Sequence, residues 1–133
     1  MNCTIIYYSA RKTSFCEKAL KKCFPEMGLT LDTAVFTTQK RGLGDALIGA
    51  FAKTDVVFTV GGLEFGDSRA ICEIVSQAAA GSEPTLCRRL KNDSGDDGYL
   101  IRAGKQLLVM LPDEPEQLAQ MTRGALTAYI RSM

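Results

Sequence analysis

A chain of 133 residues that is 46% hydrophobic and 23% charged is long enough to bury a core, and it is expected to form a single domain over residues 1–133. A net charge of +1 gives no reason to expect nucleic acid or an anionic membrane as a partner, and no apolar run approaches the roughly 20 residues that cross a bilayer. The opening Met1-Asn2-Cys3-Thr4 has neither the basic start nor the long apolar stretch of a signal peptide, so the expected location is the cytoplasm.

In chain order, Thr4-Ile5-Ile6-Tyr7-Tyr8 is rich in β-branched and aromatic residues and predicts a first strand. Ser14 and Glu17 have the spacing of a capping box, and Phe15, Ala19, Leu20 and Cys23 continue a helix that Pro25 and Gly28 should stop. Leu29 to Thr38 predicts a second strand. Gly42 and Gly44 loosen the next connection, after which Asp45 can cap a helix carrying Ala46, Leu47, Ala50 and Phe51. Asp55 to Val60 is almost continuously apolar, as a central strand covered on both faces should be. It breaks on Gly61-Gly62, and a helix is expected from about Asp67 to Ala80.

Gly81 to Gly98 predicts a polar turn or mobile loop. Tyr99 to Arg102 and Lys105 to Leu111 flank Ala103-Gly104 as a hairpin, and Pro112-Asp113-Glu114-Pro115 breaks the chain again. One last helix from about Glu114 should turn Leu118, Met121, Leu126, Tyr129 and Ile130 inward. Phe15, Phe24, Phe36, Phe51 and Phe58 are expected in the core, and Arg88, Arg89 and Lys91 on a solvated face.

Five cysteines (Cys3, Cys16, Cys23, Cys72, Cys87) are scattered without CxxC spacing, and there is no histidine to complete a zinc site or a Ser-His or Cys-His dyad. Reduced thiols are expected, with Cys16 and Cys72 facing inward. Any chemistry must use carboxylates, lysine or arginine, backbone amides, or a metal held by oxygen ligands.

Strand and helix alternate three times before the hairpin and terminal helix, which predicts a three-layer α/β/α fold with a mostly parallel sheet. Ligands in such folds sit beyond the carboxyl ends of the strands. Three segments should meet there: Ser9-Ala10-Arg11-Lys12, Gly61 to Asp67, and Pro112 to Pro115.

Two of those segments also resemble a family. "TDVVFTVGGLEFGDSRAI" is similar to the apolar run, paired glycines and loop aspartate of the molybdopterin-binding domain, found in MoaB/Mog-like proteins of molybdenum cofactor biosynthesis and in CinA-like competence-damage proteins. "GKQLLVMLPDEPEQLAQM" resembles that domain's second signature, an apolar strand ending in Leu-Pro-Gly-x-Pro before a helix. The resemblance covers Asp55 to Ile130, and the first 54 residues by pattern. It departs at Glu64, where the family has glycine, at Phe65 for proline, at Gln39-Lys40 for an acidic pair, and at Asp113 for glycine.

The resemblance implies a pterin or nucleotide ligand, molybdopterin among them, held by its phosphate. The residues it points to are Ser9, Gly61, Gly62, Leu63, Glu64, Asp67, Ser68, Pro112, Asp113 and Pro115. It also implies that Asp67 is the catalytic and metal-holding carboxylate if Mg²⁺ takes part, and that the chain assembles as a homo-oligomer, a trimer in many relatives.

Each residue also has a plainer reading. Gly61-Gly62 can expose amides to a phosphate or make a tight turn with positive φ. Asp67 can hold a metal or cap a helix, and Asp113 can start a turn or cap the last helix. Glu64 beside a phosphate repels it unless Mg²⁺ or Arg11, Lys12 or Arg69 offsets the charge. Lys40 and Arg41 are further candidate cations. Three functions therefore stand: a pterin- or nucleotide-binding protein, a Mg²⁺-dependent pyrophosphatase or adenylyltransferase using Asp67, Glu64 and Asp113, and a degenerate relative acting as an interaction or regulatory module.

Overall fold

The computed structural model describes residues 1–61, 86–95 and 97–133, without the side chains of residues 40, 41 and 87. The expected helix from Asp67 to Ala80, with Cys72, lies outside the described residues.

Six strands form one sheet: β1 (Asn2–Tyr8), β2 (Thr30–Thr37), β3 (Val56–Val60), β4 (Leu86–Leu90), β5 (Gly98–Ala103) and β6 (Gln106–Leu111), in the order β2-β1-β3-β6-β5-β4. Strands β2, β1, β3 and β6 run parallel. Strand β5 opposes both its neighbours, so β5 and β6 make the expected hairpin around Gly104. The four described helices are α1 (Thr13–Met27), α2 (Lys40–Lys53), α3 (Pro115–Thr122) and α4 (Ala125–Arg131).

The central strands are buried on both faces because helices cover both. On one side Cys16, Leu20, Phe24 and Met27, spaced by helical turns along α1, meet Ile5, Phe58 and Val109 from the sheet and Leu118, Leu126 and Ile130 from α3 and α4. On the other, Leu43, Leu47, Ala50 and Phe51 of α2 pack on Ile6, Val57, Leu108 and Met110. Every residue of β3 is buried, as its unbroken apolar run requires. Each fully buried Leu or Ile contributes about 1.5–3 kcal/mol, so these two layers dominate the stability.

Several elements differ from the sequence expectation. Helix α1 has no capping box: Lys12, at φ 55°, precedes Thr13, and no side chain caps the end. Pro25 does not stop it; the helix runs on to Met27, and Gly28 at φ 74° ends it, with its N–H on Pro25 O and the Leu29 N–H on Phe24 O. Helix α2 begins at Lys40 rather than after Asp45, with Gly42 and Gly44 inside it. A Cβ on Gly42 would run into the Thr37 hydroxyl, so glycine here reflects close packing of α2 on the end of β2.

The polar stretch before Gly98 contains an edge strand, β4. Its following turn is organised by Asn92, whose N–H donates to Asp97 Oδ1 at 2.8 Å and whose side-chain amide donates to Gln117 Oε1 at 2.8 Å. The single terminal helix is two, broken at Gly124 with φ 72°, which lets Leu118 and then Leu126 and Ile130 reach the same core. Phe15 and Phe36 are not core residues; they are 66% and 65% exposed. Phe15 lies on the outer side of α1, and Phe36 on a strand that borders solvent.

Candidate functional site

The parallel strands deliver Tyr8-Ser9, Thr37-Thr38, Val60-Gly61 and Leu111-Pro112 to one edge of the sheet. The described parts of the three segments nominated from the sequence, Ser9 to Lys12, Gly61 and Pro112 to Pro115, therefore lie at that edge. The end of β2, Thr37-Thr38, lies there as well, just before the candidate cations Lys40 and Arg41. A parallel strand between two helices must end at the same edge.

Gly61 lies where β3 passes beneath the loop that leaves β1. Its φ is +92°, and a Cβ would sit 2.6 Å from Tyr8 O and 3.0 Å from Ala10 Cβ. Both features require glycine there whether or not a ligand binds. Its N–H donates to Leu111 O at 2.9 Å, continuing the β3–β6 ladder, so that amide is not free for an anion. The plainer reading accounts for Gly61 itself. Gly62, Leu63, Glu64, Asp67 and Ser68 lie outside the described residues.

The β1–α1 loop is bent at two non-glycine positive-φ residues, Ser9 at 46° and Lys12 at 55°. Such positions cost on the order of 1 kcal/mol each and persist where surrounding contacts hold them. The Ser9 N–H donates to Thr37 O at 2.8 Å, and its hydroxyl donates to Thr38 O at 3.3 Å. At the loop's other end the Arg11 N–H donates to Asp113 Oδ2 at 2.9 Å, with Arg11 Nε 3.9 Å from the same oxygen. Lys12 Nζ donates to Glu114 Oε2 at 2.9 Å, and that bond is the main reason Lys12 stays protonated beyond its ordinary range.

Asp113 thus neither merely starts the turn nor caps α3, whose N-cap residue is Glu114 and whose first residue is Pro115. Pro112, buried, follows Leu111, the last residue of β6 and the acceptor of the Gly61 N–H. Helix α1 has no acidic residue in its first turn and no capping side chain, so Asp113 and Glu114 supply the negative charge its N-terminus favours. They are felt at Cys16: burial pushes its thiol up to about 11, and Asp113 and Glu114 add to the shift. Tyr7 is buried with no partner for its hydroxyl, and burial, then Glu17 and Cys16, push its pKa well above the usual phenol range.

Between the ends of β1 and β2 lies a cleft of about 220 Å³ lined by Tyr7, Ser9, Ala10, Phe36, Thr37 and Thr38. As to a divalent cation, no group of three Cys, Asp or Glu residues comes together among the described residues, and Asp113 and Glu114 each already face a cation of the β1–α1 loop. Cys3, Cys16 and Cys23 are free thiols, and no described helix is long and apolar enough to cross a membrane.

No family model matches the chain, and no curated protein matches it in sequence. Solved structures do match in shape. CinA of Thermoplasma acidophilum, a protein of unknown function, superposes with a TM-score of 0.76 at 15% identity, over 98% of this chain and 99% of its own. The molybdopterin biosynthesis enzyme MoaB of Thermus thermophilus gives 0.64 at 11% identity, over 99% and 97%. MogA gives 0.61 at 19%, over 99% and 98%. At such identities the likeness establishes architecture, and the chain carries the molybdopterin-binding/CinA-like α/β fold that its Gly61-Gly62 and Pro112–Pro115 segments resemble.

Proposed function

We propose that this chain binds a small phosphate-bearing ligand, a pterin or a nucleotide, at the carboxyl edge of its parallel strands, with little or no adenylyl transfer. One observation carries the reading: Ser9, Gly61 and Pro112–Asp113 come from distant parts of the sequence and meet at one strand edge. The naming of MoaB as a molybdopterin biosynthesis enzyme supports a pterin and a place in molybdenum cofactor biosynthesis. In this reading Gly62, Leu63, Glu64, Asp67 and Ser68 complete the site. The amides after Gly61 hold the phosphate, and Asp67 would hold Mg²⁺ if the ligand brings it. The protein would work in the cytoplasm as a single domain, assembled as a homo-oligomer.

A second reading, a non-catalytic binding or regulatory module, is favoured by one contact set. The Arg11 N–H and the Lys12 ammonium, which would otherwise face a ligand's phosphate, are already matched by Asp113 and Glu114. Calorimetric titration with AMP, ATP and a pterin phosphate, with and without Mg²⁺, separates the two. Binding that Gly62→Val abolishes while the melting temperature holds supports the proposal. No heat with any ligand overturns it.

A further inference from the structure

Phe36 was expected in the core and is instead 65% exposed, at the ligand-facing edge of the sheet. It sits near the end of β2, the outermost strand, in register with Tyr7 of β1. The two rings stack, with centroids 4.8 Å apart and planes 19° from parallel. Tyr7 is 2% exposed and held by the core, so it fixes one face of Phe36. A large apolar ring left in water forfeits burial worth about 25 cal/mol per Å². Its neighbours in the cleft include Ser9 and Thr38 beside Tyr7 and Ala10. The Thr37 hydroxyl is turned to α2, against Gly42, while the Thr38 hydroxyl makes no hydrogen bond to the described residues, so Thr38 can donate to or accept from the edge of a flat ligand.

We infer that Phe36, supported from behind by Tyr7, is the stacking shelf for a planar heteroaromatic ring, with Thr38 and Ser9 reading the ring's edge. The inference rests on the reading above that the strand ends take a small ligand, and it assigns which part of that ligand goes where. The cleft's 220 Å³ is below the roughly 300–1,000 Å³ of pockets that enclose a whole drug-sized ligand. It therefore takes one ring system, with the remainder of the ligand extending past Ser9 towards Gly61. Stacking suits such a site because it needs only a π face and a fixed aromatic partner, whereas hydroxyl contacts select among rings.

Neopterin, guanosine and adenosine serve as ring probes without phosphate, and ribose 5-phosphate as a phosphate probe without a ring. Titration by calorimetry, with pterin fluorescence as a second readout, is run on the wild type, Phe36→Ala, Phe36→Leu and Phe36→Tyr. The expected result is quenched pterin fluorescence on binding, ring affinity about tenfold lower or worse in Phe36→Ala and Phe36→Leu, near-wild-type affinity in Phe36→Tyr, and ribose 5-phosphate binding unchanged throughout. Preference for neopterin over the nucleosides, or the reverse, identifies the ring. Ring affinity indifferent to Phe36→Ala, or ribose phosphate bound while no ring probe is, overturns the shelf and leaves the anion-binding reading standing. Failure of every probe overturns both. Sedimentation of the same variants covers the other occupant: a change of oligomeric state in Phe36→Ala without a change in ring affinity means a second copy covers the ring, and the shelf is wrong. Because Phe36 is exposed, its variants should melt close to wild type.

Discussion

The Arg11 backbone N–H donates to Asp113 Oδ2 at 2.9 Å, joining residues 102 positions apart. That bond ties the loop after β1 to the turn after β6, and it brings a carboxylate to the uncapped N-terminus of α1. A hydrogen bond to a charged group contributes about 1.5–3 kcal/mol when shielded, whereas the exposed Lys12–Glu114 pair is screened by water and salt. Asp113, whose side chain is 20% exposed, is therefore the stronger of the two ties.

Asp113→Ala should destabilise the protein by about 1 kcal/mol in urea denaturation, since the Arg11 N–H exchanges its carboxylate acceptor for water. The same change removes a negative charge from the strand-end site. Affinity for inorganic pyrophosphate, followed by calorimetry, should rise. A lower or unchanged affinity means that Asp113 does not compete with the ligand's phosphate.

Gly61→Ala should cost about 2 kcal/mol or more, because the new Cβ meets Tyr8 O at 2.6 Å and the residue is held at φ +92°. The measurement is the shift of the denaturation midpoint at constant slope. A neutral substitution would mean that the β1–α1 loop moves freely away from β3.

Thr4 and Thr54 form a buried hydroxyl pair, Oγ1 to Oγ1 2.8 Å, joining β1 to the residue that follows α2. Thr4→Val alone leaves Thr54 its bond to Ala50 O. Thr54→Val alone strands the Thr4 hydroxyl in the core and should cost about 1–3 kcal/mol. The double variant should recover part of that loss. A double-mutant cycle in guanidinium chloride gives the coupling, and a strictly additive cycle would show that the pair contributes nothing.

Burial pushes the Cys3 thiol up to about 12 and the Cys16 thiol up to about 11, both from 9.0. In the unfolded chain these thiols ionise first. The stability they contribute is complete below pH 9 and is lost as pH rises from 9 through 11 to 12. Urea midpoints measured between pH 8 and 11 should fall, and should fall less in Cys3→Ala/Cys16→Ala. Labelling of the native protein at pH 8, mapped by mass spectrometry, should reach half-buried Cys23 before Cys3 and Cys16.

The sequence by itself determined the parallel α/β order, because the apolar runs of β1 and β3 and the helical spacing of Cys16, Leu20 and Phe24 are set locally and do not depend on where the chain goes next. The breaks at Ser9, Gly61 and Pro112 were legible for the same reason: strand ends are marked by residues that cannot continue a strand. Only the tertiary structure decided what those residues do. The Gly61 N–H is taken by Leu111 because β3 and β6, far apart in sequence, are neighbours in the sheet. Asp113 meets the Arg11 N–H rather than capping α3, because the loop from β1 crosses over it. Phe36 is exposed because β2 is the edge strand; the apolar run of β3 marked it as central, but nothing in Thr30 to Thr37 marked β2 as an edge, and only sheet order decided it.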